Sequence, residues 1–524
     1  MARRDPDAVR RALEDPGFTP ARRDIPALVA MLPEVPEALV ARIERALLDH
    51  PSEAAARVSE ALSAAQGDRA RVVHAAGRLA AQGAIPWSAL HATLDDADAS
   101  VRRAGMMALA QSTDPETEAA LLDAWGRMGD VAPPRALIRA LGRVGAERAL
   151  VALSAWEPDD PRLDEELSRA RLMLQRRAGR DAPSGIDGRA KAPAALAVDI
   201  ACRPGLERVC AEEFTDAFLP AVAGPGRVQV TLRGALDDLS RCRVMTSFSF
   251  PLATAQEGEL PEVVAEAIAS DESLAILRAF TRGTIRYRIE WADAGHRRGA
   301  TWRCVSAVAA RRPELMNDPR EATWDVVVSE SRDRVRVSLR PRRWEDPRFT
   351  YRVADVPAAS HPTVAAALAS FAGVRPDDVV WDPFVGSGLE LIERARRGPY
   401  ARMIGTDLDA TALDAAKKNL AAAGVERVTL RLGDACEDAP EGVSLILSNP
   451  PHGHRAGFGR DPAALLVRFL PVAWKALRPG GRIVWLSPAP EETARVGRAL
   501  GMTVRAGVAV DLGGIPVTLQ SMTK

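Results

Sequence analysis

"DDVVWDPFVGSGLELIERA", residues 377–395, compresses an apolar run, a turn and a helix into nineteen residues. Val379, Val380 and Trp381 read as a short strand inside a sheet. The run stops on Asp382. Gly386 and Gly388 then flank Ser387, and glycine lets a backbone come close to a ligand. Strand, Gly-rich turn and helix in this order start a parallel α/β unit, whose ligands sit at the carboxyl ends of the strands.

The same grammar repeats downstream. "ARMIGTDLD" (401–409) is a strand closing on Asp407, with Asp409 placed to cap the next helix. "VTLRLGD" (428–434) closes on Asp434, and "VSLILSNPP" (443–451) closes on Asn449. The helix "DPAALLVRFLPVAWKAL" and the strand "GGRIVWLSP" follow, and "VRAGVAVDL" with "PVTLQSMT" forms a closing antiparallel pair. Strands alternating with helices imply a doubly wound sheet. Asp382, Asp407 and Asp434 thus stand at successive strand ends. An acid after the second strand suits a ribose diol, and Asp434 is placed for an adenine amine. A dinucleotide site is the competing reading, but it needs GxGxxG directly after the strand. Here an Asp and a single GxG stand there, and an Asp can bind an ammonium group that dinucleotides lack.

Length and composition bound the rest. A chain of 524 residues with 47% hydrophobic residues is expected to hold several folded domains. No apolar run approaches the ~18–20 residues of a membrane span, and the start has no apolar core of a secretory signal. Cys202, Cys210, Cys242, Cys304 and Cys436 are scattered without a CxxC pair, so neither a zinc site nor a disulfide framework is expected. A cytoplasmic setting with no metal and no membrane follows as the expectation. Lys+Arg and Asp+Glu are equal at 70 each, so whole-chain charge points to no nucleic acid.

Residues 1–176 read as successive helices. "RVVHAAGRLAAQG" (71–83), "DASVRRAGMMALAQ" (98–111) and "PPRALIRALGRVG" (133–145) align Leu79, Leu109 and Leu141 at a period of about 30. Val101, Ala104, Met107 and Ala108 are expected on one buried face. This stretch resembles HEAT-type repeats, which implies an α-solenoid. Residues 177–195 are polar and non-periodic and read as a linker. From 196 to 350 strands and helices alternate as in an α+β domain: "GRVQVTLRG" (226–234), a helix at "ALDDLSRCRVM", "GTIRYRIEW" (283–291) and the hairpin "WDVVVSESRDRVRVSLRP" (324–341). Residues 281–350 carry sixteen Arg against ten acids, a surplus expected to meet phosphates.

DPFVGSG, GTDLD, GDA and NPPH, in this order, resemble class I S-adenosylmethionine-dependent methyltransferases, the branch that methylates exocyclic amines. "HPTVAAALASFAG" and "GSGLELIERA" narrow the resemblance to THUMP-containing RNA guanine-N2 methyltransferases. That family usually reads GSGT-ILIEAA and NPPYG; here Leu389 stands for the Thr and His452 for the Tyr. "CRPGLERVCAEEF" is similar to the family's ferredoxin-like and THUMP module. The resemblance implies a multidomain chain. A HEAT-like extension (1–176) precedes a ferredoxin-like/THUMP-like RNA-binding module (196–350) and a Rossmann-like methyltransferase domain (351–524). It implies S-adenosyl-L-methionine bound by Thr363, Asp382, Pro383, Phe384, Gly386, Ser387, Gly388, Asp407, Leu408, Asp434, Ala435 and Asn449. It implies RNA, tRNA first, contacted by Arg286, Arg288, Arg297, Arg298, Asn317, Arg320, His454 and Arg455.

Asn449, Pro450, Pro451 and His452 are then the catalytic set. The target amine would donate to the Asn449 side-chain oxygen and the Pro450 carbonyl, while the neutral His452 ring stacks on the base. Fixed φ at the prolines would hold these acceptors rigid, and orientation rather than a shifted base would carry the rate. Ribosomal RNA is the nearest rival substrate. DNA adenine-N6 and protein glutamine-N5 methylation share NPP(Y/F), and a non-catalytic RNA-binding scaffold is the reading from another class. The solenoid's role, whether gripping RNA, docking a partner protein or scaffolding, stays open.

Overall fold

The structure is a computed structural model describing all residues except 1–4, 64–67, 129–132, 180–181, 255–258, 293–296, 332–333, 358 and 453–460. It divides into two units, residues 1–182 with 302–318, and residues 183–301 with 319–524.

The first unit is built on helices between Pro6 and Ala178. Asp68, Asp98 and Asp160 each cap a helix by accepting a backbone N–H two residues on, which satisfies a donor the helix cannot. Leu79, Leu109 and Leu141, the three aligned leucines, are fully buried. A side chain on Gly77 would stand 2.6 Å from the Ala108 methyl, so these helices pack closer than larger residues permit. One face differs from the reading above: Met106 is buried and Met107 is 50% exposed. Val101 and Ala108 are buried as expected and Ala104 is half-buried, while Gly105, Met106 and Leu109 complete the inward stripe and Met107 falls outside it.

In the second unit a mixed sheet runs in the order Ala221–Gly224, Arg227–Leu232, Leu196–Ala201, Ser247–Leu252, Arg334–Pro341, Trp324–Ser331, Arg286–Trp291. The last two are parallel and the others antiparallel. The 324–341 hairpin is present. The stretch read as a linker is not all linker: Ser184–Ile186 pairs antiparallel with Thr281–Gly283. Its partner lies about a hundred residues away, so no local periodicity announces it. Leu236–Arg241 is a 3₁₀ turn rather than an α-helix.

The C-terminal sheet is labelled in chain order: β1 Val379–Asp382, β2 Arg402–Asp407, β3 Val428–Leu432, β4 Val443–Ser448, β5 Leu477–Ser487, β6 Thr503–Val504, β7 Val508–Asp511 and β8 Pro516–Thr523. The spatial order is 3-2-1-4-5-8-6, with β7 also pairing β8. Strands β1 to β5 are parallel and β8 antiparallel. The helices are α1 Pro362–Ala372, α2 Leu389–Arg397, α3 Ala410–Ala422, α4 Pro462–Ala476 and α5 Pro490–Ala499. Every residue of β4 is buried, as expected of a central strand covered on both faces. Chain order reverses between β1 and β4, and the crevice at that switch is where such sheets bind ligands. Glu393 of α2 anchors the preceding segment, accepting from Arg243 at 2.6 and 2.7 Å and from the Tyr351 hydroxyl at 2.5 Å. Among the described residues no helix is long and apolar enough to cross a membrane.

Candidate active site

The carboxyl ends of β1, β2 and β4 and the loop after β3 open onto one cavity of about 650 Å³. Gly386, Ser387, Asp407, Asp434, Asn449 and His452 all line it. Gly386 has φ +49° and Gly388 φ +84°, the left-handed region that glycine enters without strain. This turns the chain sharply from β1 into α2. The Gly386 N–H donates to Asp407 Oδ2 at 2.8 Å, and the Asp409 N–H donates to Asp407 Oδ1 at 3.0 Å. The acid after β2 therefore also fixes the loop after β1. Pro383, Phe384, Leu408 and Ala435 line the cavity, and Leu408 is 56% exposed. Asp434 accepts from the Cys436 N–H at 2.9 Å and pairs with Arg468. Burial raises its pKa, but these donors outweigh burial and hold it below the usual carboxylate range.

Thr363, Asp382 and Gly388 lie beneath the cavity surface instead of on it. Thr363 is buried against His361, whose Nδ1 is 2.8 Å from its hydroxyl, and Gly388 backs onto Ala416. Asp382 is fully buried. Its Oδ1 accepts from Ser448 Oγ at 2.6 Å and from the Phe384 N–H at 3.1 Å. Its Oδ2 is buried without a hydrogen-bond partner among the described residues. Burial first, then the carboxylates of Glu390 and Asp407, raises its pKa well above the usual range. Glu390, 3% exposed on α2, is pushed up to about 7 by burial, against the hydrogen bond from Ser360. Two buried carboxyl groups, one with a bare oxygen, favour a positive ligand beside them. The chemistry of this donor set fits an amino acid-bearing sulfonium nucleoside, whose charge is positive.

Asn449 follows β4 directly. Its Nδ2 donates to Ser360 Oγ at 2.8 Å, and Ser360 Oγ donates to Glu390 Oε1 at 2.5 Å. His452 Nε2 lies 2.9 Å from Asn449 Oδ1. Burial lowers the His452 pKa, so the ring is neutral near pH 7, and an amide oxygen requires the N–H on Nε2. Pro450 and Pro451 line the same wall. His454 and Arg455 lie outside the described residues.

The Arg-rich stretch is less cationic at its surface than its composition suggests. Arg286 and Asn317 are buried, and Asn317 accepts from Arg176. Arg288 and Arg340 both pair with Asp325 and Glu290. Arg297 pairs with Glu330 at 2.7 Å. Arg298 and Arg320 are exposed. The Arg surplus is thus partly spent on internal pairs, which a count of charges along the chain does not reveal.

Sequence reasoning missed Ser360, Glu390, Ser448 and Asn419. Asn419, fully buried on α3, accepts from the Val353 and Ala354 N–H groups and donates to Ala354 and Ser387 carbonyls at 2.9 to 3.0 Å. It fixes the Gly-rich turn from behind. Glu390 carried a signal, a carboxylate inside an apolar helix face beside the glycines. Ser360 carried none.

Residues 350–514 match the family model described as RMKL-like, methyltransferase domain (UPF0020). A tRNA (guanine(6)-N2)-methyltransferase of Thermus thermophilus is 37% identical over 160 residues, covering 29% of this chain and 47% of the relative. A U6 snRNA (guanine-N(2))-methyltransferase, THUMPD2 of Bos taurus, is 34% identical over 132 residues, covering 25% of this chain and 26% of the relative. The chain spans less than half the length of each. The crystal structure of TrmN from Thermus thermophilus superposes with a TM-score of 0.51 at 25% identity, covering 63% of this chain and 99% of that one. Over residues 350–514 the chain is therefore similar to the methyltransferase domain described as RMKL-like.

Proposed function

We propose that the chain is an S-adenosylmethionine-dependent RNA methyltransferase that methylates the exocyclic N2 amine of a guanosine, with tRNA as the first substrate. One observation carries this reading. Asn449 and Pro450, set at the end of β4, face the same cavity as the Gly386–Ser387 turn and Asp407. The names of the two curated relatives support the guanine-N2 assignment.

When bound, S-adenosylmethionine supplies an electrophilic methyl on a sulfonium. The chain's residues do the rest by placement. Gly386, Ser387, Asp407 and Asp434 hold the nucleoside. Asp382 and Glu390 balance its positive charge from beneath. Asn449 Oδ1 has a second lone pair beside the one directed at His452, and the target amine donates to it and to the Pro450 carbonyl. A conjugated amine is a weak nucleophile, so its lone pair must be aimed at the methyl. His452 stays neutral and adds no repulsion to a cationic ligand. The base must be unpaired or flipped to enter.

On this reading 1–176 is a HEAT-like extension serving RNA or a partner protein. Residues 196–350 form the ferredoxin-like/THUMP-like RNA module, and 351–524 the catalytic domain. Among the described residues Arg298 and Arg320 are the exposed members of the expected phosphate contacts. The test is methyl transfer from labelled S-adenosylmethionine to unmodified tRNA, ribosomal RNA, DNA and release factor, followed by nucleoside mass spectrometry. N2-methylguanosine in tRNA is expected, and label confined to DNA or protein refutes the assignment.

A further inference from the structure

We propose that Glu390, acting through the Ser360 hydroxyl, is a positioning residue that fixes which way the Asn449 amide faces. The proposal rests on the amine-methylation reading for its catalytic consequence, but the relay itself is independent of it.

An amide has a donor end and an acceptor end of nearly the same shape, so packing alone does not choose between them. The choice needs a neighbour of fixed polarity. Ser360 is not one, because a hydroxyl both donates and accepts. Glu390 is one when ionised, since a carboxylate only accepts. It takes the Ser360 proton at 2.5 Å, which leaves Ser360 Oγ as the acceptor for Asn449 Nδ2 at 2.8 Å. The Asn449 oxygen is then forced to the opposite side, where His452 Nε2 donates at 2.9 Å. Reversing the relay would aim an N–H at the target amine, a donor against a donor. Glu390 is 3% exposed, so keeping a carboxyl group there is unfavourable unless it serves an interaction.

Polarity in this relay depends on the ionisation of Glu390. A protonated Glu390 can donate to Ser360, which frees the Ser360 proton for Asn449 Oδ1 and lets the amide turn. The carboxylates that act on Glu390 are Asp382 at the end of β1 and Glu393 on the same helix, and Asp407 acts in turn on Asp382. His361, His452, Arg203 and Arg352 line the same cavity. Burial first, and then the Glu393 carboxylate, keeps protonation of Glu390 accessible near neutral pH, and a cationic ligand opposes it.

The chain has only three asparagines, Asn317, Asn419 and Asn449. Protein labelled with ¹⁵N-asparagine therefore gives three side-chain amide pairs, and Asn449→Ala identifies its own. In the wild type the Asn449 pair should shift with pH as Glu390 titrates near 7. In Ser360→Ala that shift should vanish, and Ser360→Thr should restore it. In activity assays Ser360→Ala should lower kcat roughly 10- to 100-fold, the scale of a misoriented group. KM for RNA and Kd for S-adenosylmethionine should stay within about threefold. Glu390→Gln, which cannot ionise, should likewise abolish the pH-dependent shift of the Asn449 pair, a readout that does not depend on cofactor binding. An Asn449 pair that ignores pH in the wild type overturns the proposal. So does a Ser360→Ala enzyme with normal kcat, or one whose defect lies in cofactor Kd. If the wild type makes no N2-methylguanosine, the functional reading falls, while the resonance experiment still decides the relay.

Discussion

Asp378 and Asp382 bracket the same short strand, and both are fully buried. Asp378, at the amino end, accepts from Arg394 at 2.9 Å, from Arg482 at 3.0 Å on each oxygen and from Ser444 at 2.7 Å. Burial raises its pKa, but these donors outweigh burial and hold it far below the ordinary range. Asp382, at the carboxyl end, has one oxygen bare and its pKa raised. One carboxylate is fully served by the fold. The other is served only in part, and it stands behind the cavity. A satisfied buried charge is structural, and a partly satisfied one beside a cavity is a candidate for function.

The largest effect should come from breaking the served one. Asp378→Asn strands two buried guanidinium groups, and removing one partner of a buried pair costs about 3–5 kcal/mol. A fall in Tm of roughly 5–10 °C is expected by calorimetry; an unchanged Tm would show that the pair contributes nothing. Asp382→Asn inverts the outcome. Its Tm should hold or rise, while Kd for S-adenosylmethionine weakens roughly 10- to 100-fold, the worth of a charge-assisted bond. Normal cofactor affinity with a lower Tm would make Asp382 structural after all.

The pH dependences should have opposite signs. Asp378 has a depressed pKa, so its stabilisation is present above about pH 4 and is lost as pH falls through the acid range. Glu390 and Asp382 have raised pKa values, so their protonated forms stabilise the fold below the unfolded value and that contribution is lost as pH rises, for Glu390 through about 7. Glu390→Gln should therefore raise Tm at pH 8, with a ceiling on the order of 3 kcal/mol, and the gain should shrink towards pH 5. An equal gain at both pH values would mean that ionisation of Glu390 is not its source.

The smallest effect belongs to a carboxylate between these extremes. In the helical unit Glu44 is buried and accepts from His74 and Arg78 at 2.6 Å each. His74 is 64% exposed, so solvent screens the pair. The hydrogen bond to Glu44 raises the His74 pKa, so its stabilisation is present at acid pH and fades as pH rises above the ordinary histidine value. His74→Ala should cost less than about 1 kcal/mol at pH 5.5 and less still at pH 8. A loss comparable to that of Asp378→Asn would place His74 in the core of the unit's stability.

Much of the site could be read along the chain. Asp407 and Asp434 end their strands, and Gly386 needs a left-handed turn that only a short list of residues tolerates. These signals are local: strand ends, turns and caps are written within a few residues. Asp378 and Asp382 look alike in "DDVVWD", because their difference lies in Arg394, Arg482 and Ser448, which arrive from other elements. The same holds for Ser184–Ile186, whose partner strand is remote, and for the arginines of 286–340, whose acids stand across the sheet.

Periodicity and strand-end chemistry by themselves determined a doubly wound C-terminal sheet with Gly386, Asp407, Asp434 and Asn449 on one cavity, and a helical start. Which carboxylates are satisfied, which arginines are exposed and which way Asn449 faces were decided only by the tertiary structure. Hydrogen bonding and desolvation act through space between groups far apart in the chain, and no pattern of neighbours in sequence encodes them.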